Sequence, residues 1–190
     1  ARSMGRSIPD RMEEALRKVE GAFSVVAMTR DELIGVRDPL GVRPLVLGQL
    51  GDGWALASET CALDIIGAEF IREVAPGEMV VIRDKGVESH FPFRPQKPRF
   101  CVFEHVYFSR PDSILGGRSV YETREAIGRE LAKEAPVDAD LVCPVPDSGT
   151  PRSAIRCNRG FLTRWGSSAI NTWAAPLSSR PNRSATWVCA

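Results

Sequence analysis

Five cysteines, two histidines and a short Ser-Gly-Thr run are the residues of this 190-residue chain whose types could do chemistry. Cys61, Cys101, Cys143, Cys157 and Cys189 are scattered, odd in number, and form no C-x-x-C pair. That spacing argues against a disulfide framework and against a tetrahedral zinc site. His90 and His105 are too few for a His-rich metal site. Pro146-Asp-Ser-Gly-Thr-Pro151 follows the strand-like run 139–145. Gly149 lets a backbone approach a ligand, while Ser148 and Thr150 offer hydroxyl oxygens. A loop beyond the C-terminal end of a parallel strand is where open α/β sheets bind ligands. The same composition also suits an ordinary surface turn.

These residues must be positioned by elements whose order is readable. Residues 7–20 have the spacing of an amphipathic helix: Ser7 as N-cap, Pro9 in the first turn, and Ile8, Met12, Ala15, Leu16 and Val19 on one face. Gly21 supplies the stop. Short strand-like runs follow at 23–28, 33–37, 44–48, 54–57, 70–74, 79–83 and 87–91. Turn residues separate them at 38–41, 51–53, 76–77 and 84–86, which predicts an antiparallel sheet or a pair of sheets. A short helix at 59–66 fits after Ser58, whose hydroxyl is placed to cap it.

Pro92, Pro95 and Pro98 then punctuate the chain, and the run Cys101-Val-Phe-Glu-His-Val-Tyr-Phe108 reads as a largely buried strand. Ser109-Arg-Pro-Asp-Ser113 reads as the turn that ends it. A helix at 120–134, a buried strand at 139–145 and the loop at 146–151 are α/β grammar.

Composition excludes several classes. The chain is 43% hydrophobic, enough for a packed core, and its net charge is +1. No apolar run approaches the roughly 18 residues of a membrane span. The charged N-terminus has no apolar segment of signal-peptide type behind it, so a soluble, cytoplasmic protein without membrane partners is expected. The charge is uneven. No Asp, Glu or Lys follows Asp147, whereas six arginines and three of the four tryptophans do. Residues 1 to 148 therefore carry a net charge of −5. Such a tail has the look of a coding sequence read in a shifted frame. Arginine with tryptophan also suits nucleic-acid binding, but these tryptophans are isolated, and no nucleic-acid partner is expected.

Four segments carry a family resemblance. They are Arg37-Asp-Pro-Leu-Gly-Val-Arg-Pro-Leu45, Ala57-Ser-Glu-Thr-Cys-Ala-Leu-Asp64, Val74-Ala-Pro-Gly-Glu78 and Phe103-Glu-His-Val-Tyr-Phe-Ser-Arg-Pro-Asp-Ser113. In this order the chain from about Met4 to Pro151 resembles the amidophosphoribosyltransferases, which form 5-phosphoribosylamine from phosphoribosyl pyrophosphate and glutamine at the head of purine synthesis. The resemblance implies an α+β then α/β chain. Residues 1–95 would be the C-terminal part of an N-terminal-nucleophile (Ntn) αββα glutaminase sandwich, a type 2 glutamine amidotransferase domain. Residues 96–151 would begin a type I phosphoribosyltransferase domain, and 152–190 would be an atypical tail. Other glutamine amidotransferases, such as glucosamine-6-phosphate synthase or asparagine synthetase, share the first three segments more loosely, and Glu104 to Ser113 argues against them.

What the resemblance implies for sites is narrow. The family's glutaminase uses an N-terminal cysteine with its own α-amino group as base. Residue 1 here is Ala, so an internal, inactive fragment is expected, with no catalytic residue assigned. The alternative is a non-catalytic interaction module. Tyr107 and Arg110 fall in the segment that joins the family's two active sites and lines an ammonia passage. Arg43, Ser58 and Glu59 are expected to organise the glutaminase core without touching substrate. Ser148 falls where the family places a Mg²⁺-associated residue, although the paired aspartates of the phosphoribosyl pyrophosphate loop are missing. Cys101 matches one ligand of a [4Fe–4S] cluster found in one branch. Such a cluster needs four thiolates, and Cys143, Cys157 and Cys189 do not match the others, so no cluster is expected in this chain. Glutamine and phosphoribosyl pyrophosphate are the implied small-molecule partners, and the parent enzyme is expected to be a homo-oligomer.

Overall fold

A computed structural model describes residues 4–136, 141–143 and 187–189. The chain forms two compact units, 1–120 and 121–190.

The first unit opens with helix α1 (Ile8–Leu16). Ser7 caps it with a reciprocal box: its hydroxyl accepts from the Asp10 N–H, and the Asp10 carboxylate accepts from the Ser7 N–H. The helix ends at Leu16, before the expected residue 20, with Arg17 as C-cap. Seven strands follow: β1 (Ser24–Met28), β2 (Leu33–Arg37), β3 (Val46–Leu50), β4 (Gly53–Ala57), β5 (Glu69–Glu73), β6 (Met79–Arg83) and β7 (Gly86–His90). Helix α2 (Thr60–Ile66) lies between β4 and β5. Every strand falls within two residues of its predicted place.

The strands make two antiparallel sheets, ordered β1-β2-β6-β7 and β4-β3-β5. Alternation along β6 shows how the layers stack. Met79 and Val81 point with Ile34 and Val36 toward Met12 and Leu16 of α1. Val80 and Ile82 point the other way, meeting Leu45, Leu47 and Val74 between the sheets. On the far side of the second sheet, Val46 and Ala68 enclose Leu63 of α2. A side-chain period of two thus builds the four layers α1, sheet, sheet, α2. This is the αββα sandwich the family resemblance implies.

The run from Cys101 departs from expectation. It is not a buried strand but a π-helical turn, Glu104–Phe108, closed by a bond from the Ser109 N–H to the Glu104 carbonyl. Val102, Phe103, Val106, Tyr107 and Phe108 are exposed, and Glu104 is the residue that is buried, at 1%. The physical reason is that this run pairs with no neighbouring strand. What holds it is the buried Glu104 carboxylate, which lies against the partly exposed Arg43 guanidinium and needs that partner to stay charged. A hairpin follows, β8 (Ile114–Leu115) with β9 (Arg118–Ser119). Its turn residues Gly116 and Gly117 both have positive φ, +56° and +72°, the type I′ geometry that matches strand twist.

Helix α3 (Val120–Glu134) matches the helix predicted at 120–134. Two pairs brace its exposed side, Glu125–Arg129 at 2.8 Å and Glu130–Lys133 at 2.7 Å. Strand β10 (Leu141–Cys143) pairs in parallel with β11 (Trp187–Cys189). The remainder of the expected strand 139–145, the loop 146–151 and nearly all of the tail lie outside the described residues. Among the described residues no helix is long and apolar enough to cross a membrane.

Candidate functional site

The first and second motif segments fasten the fourth, and the third is tied to the first. The first motif builds a rigid corner after β2. Asp38, fully buried, accepts the N–H groups of Leu40 and Val42 through its carboxylate. Arg37, also buried, donates to the carbonyls of Val74 (2.7 Å), Arg43 (2.9 Å) and Gly41 (3.1 Å), and faces Glu73 at 3.4 Å. The planar fork of an arginine suits this task because its five donors point in fixed directions. The corner presents Arg43 to the π-helical turn. Its guanidinium lies 2.6 Å from Glu104 and 5.0 Å from the centre of the Phe108 ring. The Ser109 hydroxyl donates to Glu104 Oε2 at 3.1 Å.

The second motif fastens the turn after it. Glu59 is the N-cap residue of α2, in extended geometry, yet its side chain caps nothing in that helix. Its Oε2 accepts from the Arg110 N–H (2.8 Å) and the Ser113 hydroxyl (2.7 Å). Ser58, expected to cap α2, stays exposed, and no side-chain cap forms. Thr60 accepts the Ile114 N–H at 2.9 Å. Glu73, at the end of β5, accepts the Gly116 N–H at 2.6 Å. The third motif contributes Glu78, buried beneath a paired contact with Arg72 (2.7 and 2.8 Å) and a bond from Ser89 at 2.6 Å. Burial alone would raise the Glu78 carboxyl; the Arg72, Ser89 and Ala75 donors outweigh it and hold the group below its usual value.

The expected site residues are distributed as follows. Tyr107 is 69% exposed on the π-helical turn. Arg110 is three residues on; its backbone is tied to Glu59 and its guanidinium is forked onto Asp112 at 2.8 and 3.0 Å. That pairing lowers Asp112 and raises Arg110 relative to their usual values. Cys101 is half-buried at the start of the stretch. Ser148 lies outside the described residues. Among the described residues no three His, Cys, Asp or Glu side chains gather to hold a metal ion, Cys101 included. A groove of about 770 Å³ runs along Leu16, Phe23, Leu40 and Phe93, and neither Tyr107 nor Arg110 lines it.

The sequence did not reveal Thr60 and Glu73 as anchors. Their partners are 54 and 43 residues away, and no local pattern marks a carboxylate or hydroxyl whose acceptor role is met across the fold.

A glutamine amidotransferase domain model matches residues 4–64. The amidophosphoribosyltransferase of Rhizobium etli is 54% identical over 156 residues, which is 80% of this chain and 32% of that enzyme. That of Synechococcus elongatus is 54% identical over 144 residues, 74% of this chain and 29% of that enzyme. Over the matched stretch this chain belongs to the amidophosphoribosyltransferase family. A solved structure of the glutamine phosphoribosylpyrophosphate amidotransferase from B. subtilis, complexed with ADP and GMP, superposes with a TM-score of 0.79. Its identity is 34%, over 92% of this chain and 42% of that one. A second, described as the allosteric regulatory enzyme of purine biosynthesis, superposes at 0.78 with 35% identity. The chain thus spans about a third of the length of the curated amidophosphoribosyltransferases it matches.

Proposed function

We propose that this chain supplies the scaffold of a glutaminase lobe and its junction with a phosphoribosyl-transferring lobe. The reaction served is glutamine-dependent formation of 5-phosphoribosylamine from phosphoribosyl pyrophosphate. The observation that carries this reading is the 54% identity to the Rhizobium etli enzyme over 156 residues, within which lie all four motif segments. The geometry supports a scaffold role. Arg37, Arg43, Glu59 and Glu78 are spent on carbonyls, amides and ion pairs inside the fold. Cys61 is buried with its thiol against Glu59 at 3.8 Å, and that carboxylate already accepts two stronger donors. Neither it nor half-buried Cys101 has the exposed nucleophile-and-base arrangement that amide hydrolysis needs.

Tyr107 and Arg110 are the proposed channel or substrate-facing residues, since both lie in the stretch that Arg43 holds at Glu104 and Glu59 holds at Arg110. Ser148 is the proposed contact for Mg²⁺, whose chemistry there would be charge neutralisation on pyrophosphate. In the division we propose, residues 1–95 belong to the amidotransferase domain, 96–151 begin the transferase domain, and 152–190 are an atypical, frame-shifted tail. The parent enzyme is proposed to be cytoplasmic and homo-oligomeric.

The test is an assay of the 190-residue chain with phosphoribosyl pyrophosphate and either glutamine or ammonia. A scaffold gives no phosphoribosylamine above the uncatalysed background. Turnover by the chain alone would overturn the assignment.

A further inference from the structure

Helix α2 begins at Glu59, whose extended backbone is that of an N-cap and whose side chain makes no cap bond. Short acceptors such as Ser, Thr, Asp and Asn suit that task, and the longer Glu side chain is free to reach elsewhere. It reaches across to the stretch 51 to 54 residues later instead, taking the Arg110 N–H and the Ser113 hydroxyl on one oxygen. Thr60 and Glu73 add the amides of Ile114 and Gly116. Three backbone N–H groups of the junction, at 110, 114 and 116, are thus satisfied by side chains of the sandwich. A mere surface turn would leave these groups to water.

We propose that Glu59 is a positioning residue: its carboxylate, bonded to the Arg110 N–H and the Ser113 hydroxyl, fixes where the Tyr107–Arg110 stretch sits on the glutaminase sandwich. Through that placement it governs how much of the ammonia released from glutamine reaches the second reaction. The proposal rests on the functional reading above for its second half, while its first half is purely structural. A charged acceptor shared by two donors contributes more than a neutral one, so the Arg110 amide is the point where its loss registers most.

Hydrogen exchange of the full 190-residue chain tests the placement. Glu59→Ala speeds exchange at Arg110 and its neighbours through Gly116 by about tenfold or more, while amides of β2 and β6 keep their rates. Ser113→Ala, which removes one donor and spares the carboxylate, gives a smaller change at the same amides and guards against a variant that does not fold. Unchanged exchange at 110–116 in both variants would overturn the proposal. The coupling is read in the Rhizobium etli enzyme with residues 4–120 of this chain replacing its own. There Glu59→Ala raises the glutamine consumed per phosphoribosylamine formed at least about twofold, with ammonia-dependent synthesis retained and Glu59→Asp restoring part of the ratio. A ratio equal to that of the unsubstituted chimera would overturn it. If the unsubstituted chimera forms no phosphoribosylamine at all, the functional reading falls, and the exchange result still decides the placement.

Discussion

Arg43 and Glu104 approach to 2.6 Å, yet they differ sharply in surroundings: the Arg43 side chain is 45% exposed and that of Glu104 only 2%. A buried carboxylate is thus held at the edge of the sandwich by a cation that still touches water, with Ser109 supplying a hydrogen bond. The consequence is asymmetric. Removing Arg43 strands a buried charge, whereas replacing Glu104 by an uncharged residue of similar shape leaves only an exposed arginine behind.

Arg43→Met is therefore expected to destabilise the chain by about 1–3 kcal/mol, less than a fully buried pair because Arg43 is half in water. Glu104→Gln costs less than Arg43→Met. Urea unfolding checks both, the midpoint falling further for Arg43→Met with the slope unchanged.

Glu78 gives a pH dependence whose sign is fixed. Its folded value lies below the ordinary 4.5, so the unfolded chain takes up this proton first as pH falls. The stabilisation is complete above about pH 4.5 and is lost as the pH drops through the depressed folded value. Urea midpoints measured from pH 6 downward should fall more steeply in wild type than in Glu78→Gln below about pH 4.5. Parallel curves would show that the Arg72–Glu78 pair contributes nothing to acid stability.

Two strand glycines mark where layers come closest. A Cβ on Gly35 would lie 2.7 Å from Leu56 Cδ1, between the sheets. One on Gly48 would lie 2.8 Å from both Leu63 methyls and 3.0 Å from the Glu69 carbonyl oxygen. The Leu56 methyl is the far end of a flexible side chain and can yield, but the Glu69 backbone cannot. Gly48→Ala is expected to cost more than Gly35→Ala, within the range of about 1–3 kcal/mol typical of overpacking. Thermal melts of the two variants decide the order.

Arg37 serves three carbonyls at fixed angles, so Arg37→Lys should be far from conservative. An ammonium cannot reach Val74, Gly41 and Arg43 together, which leaves buried acceptors without donors at about 1–3 kcal/mol each. The expected result is a chain destabilised by more than about 2 kcal/mol in urea. A midpoint equal to wild type would refute the role assigned to the fork.

Much of the sandwich was legible in the sequence because its signals are local. The apolar run Met79-Val-Val-Ile82, the Ser7 cap and the Gly and Pro turns each act within a few residues. The stretch from Cys101 was not legible. Its apolar run looks like a strand by composition, and what overrides the pattern is one buried carboxylate whose partner, Arg43, is 61 positions away. The β8–β9 hairpin was missed although Gly116-Gly117 is a recognised type I′ signal; strands of two residues are too short for alternation to show. The anchors Thr60 and Glu73 depend wholly on tertiary placement.

Residues 4–120 are proposed to serve as the glutaminase sandwich and junction within an amidophosphoribosyltransferase. The most direct test transplants them in place of the matching stretch of the Rhizobium etli enzyme and measures phosphoribosylamine formed from glutamine and from ammonia. Both activities should persist, with glutamine-dependent synthesis within about tenfold of the ammonia-dependent rate, a difference of about 1.4 kcal/mol. A soluble chimera that uses ammonia but not glutamine would contradict it.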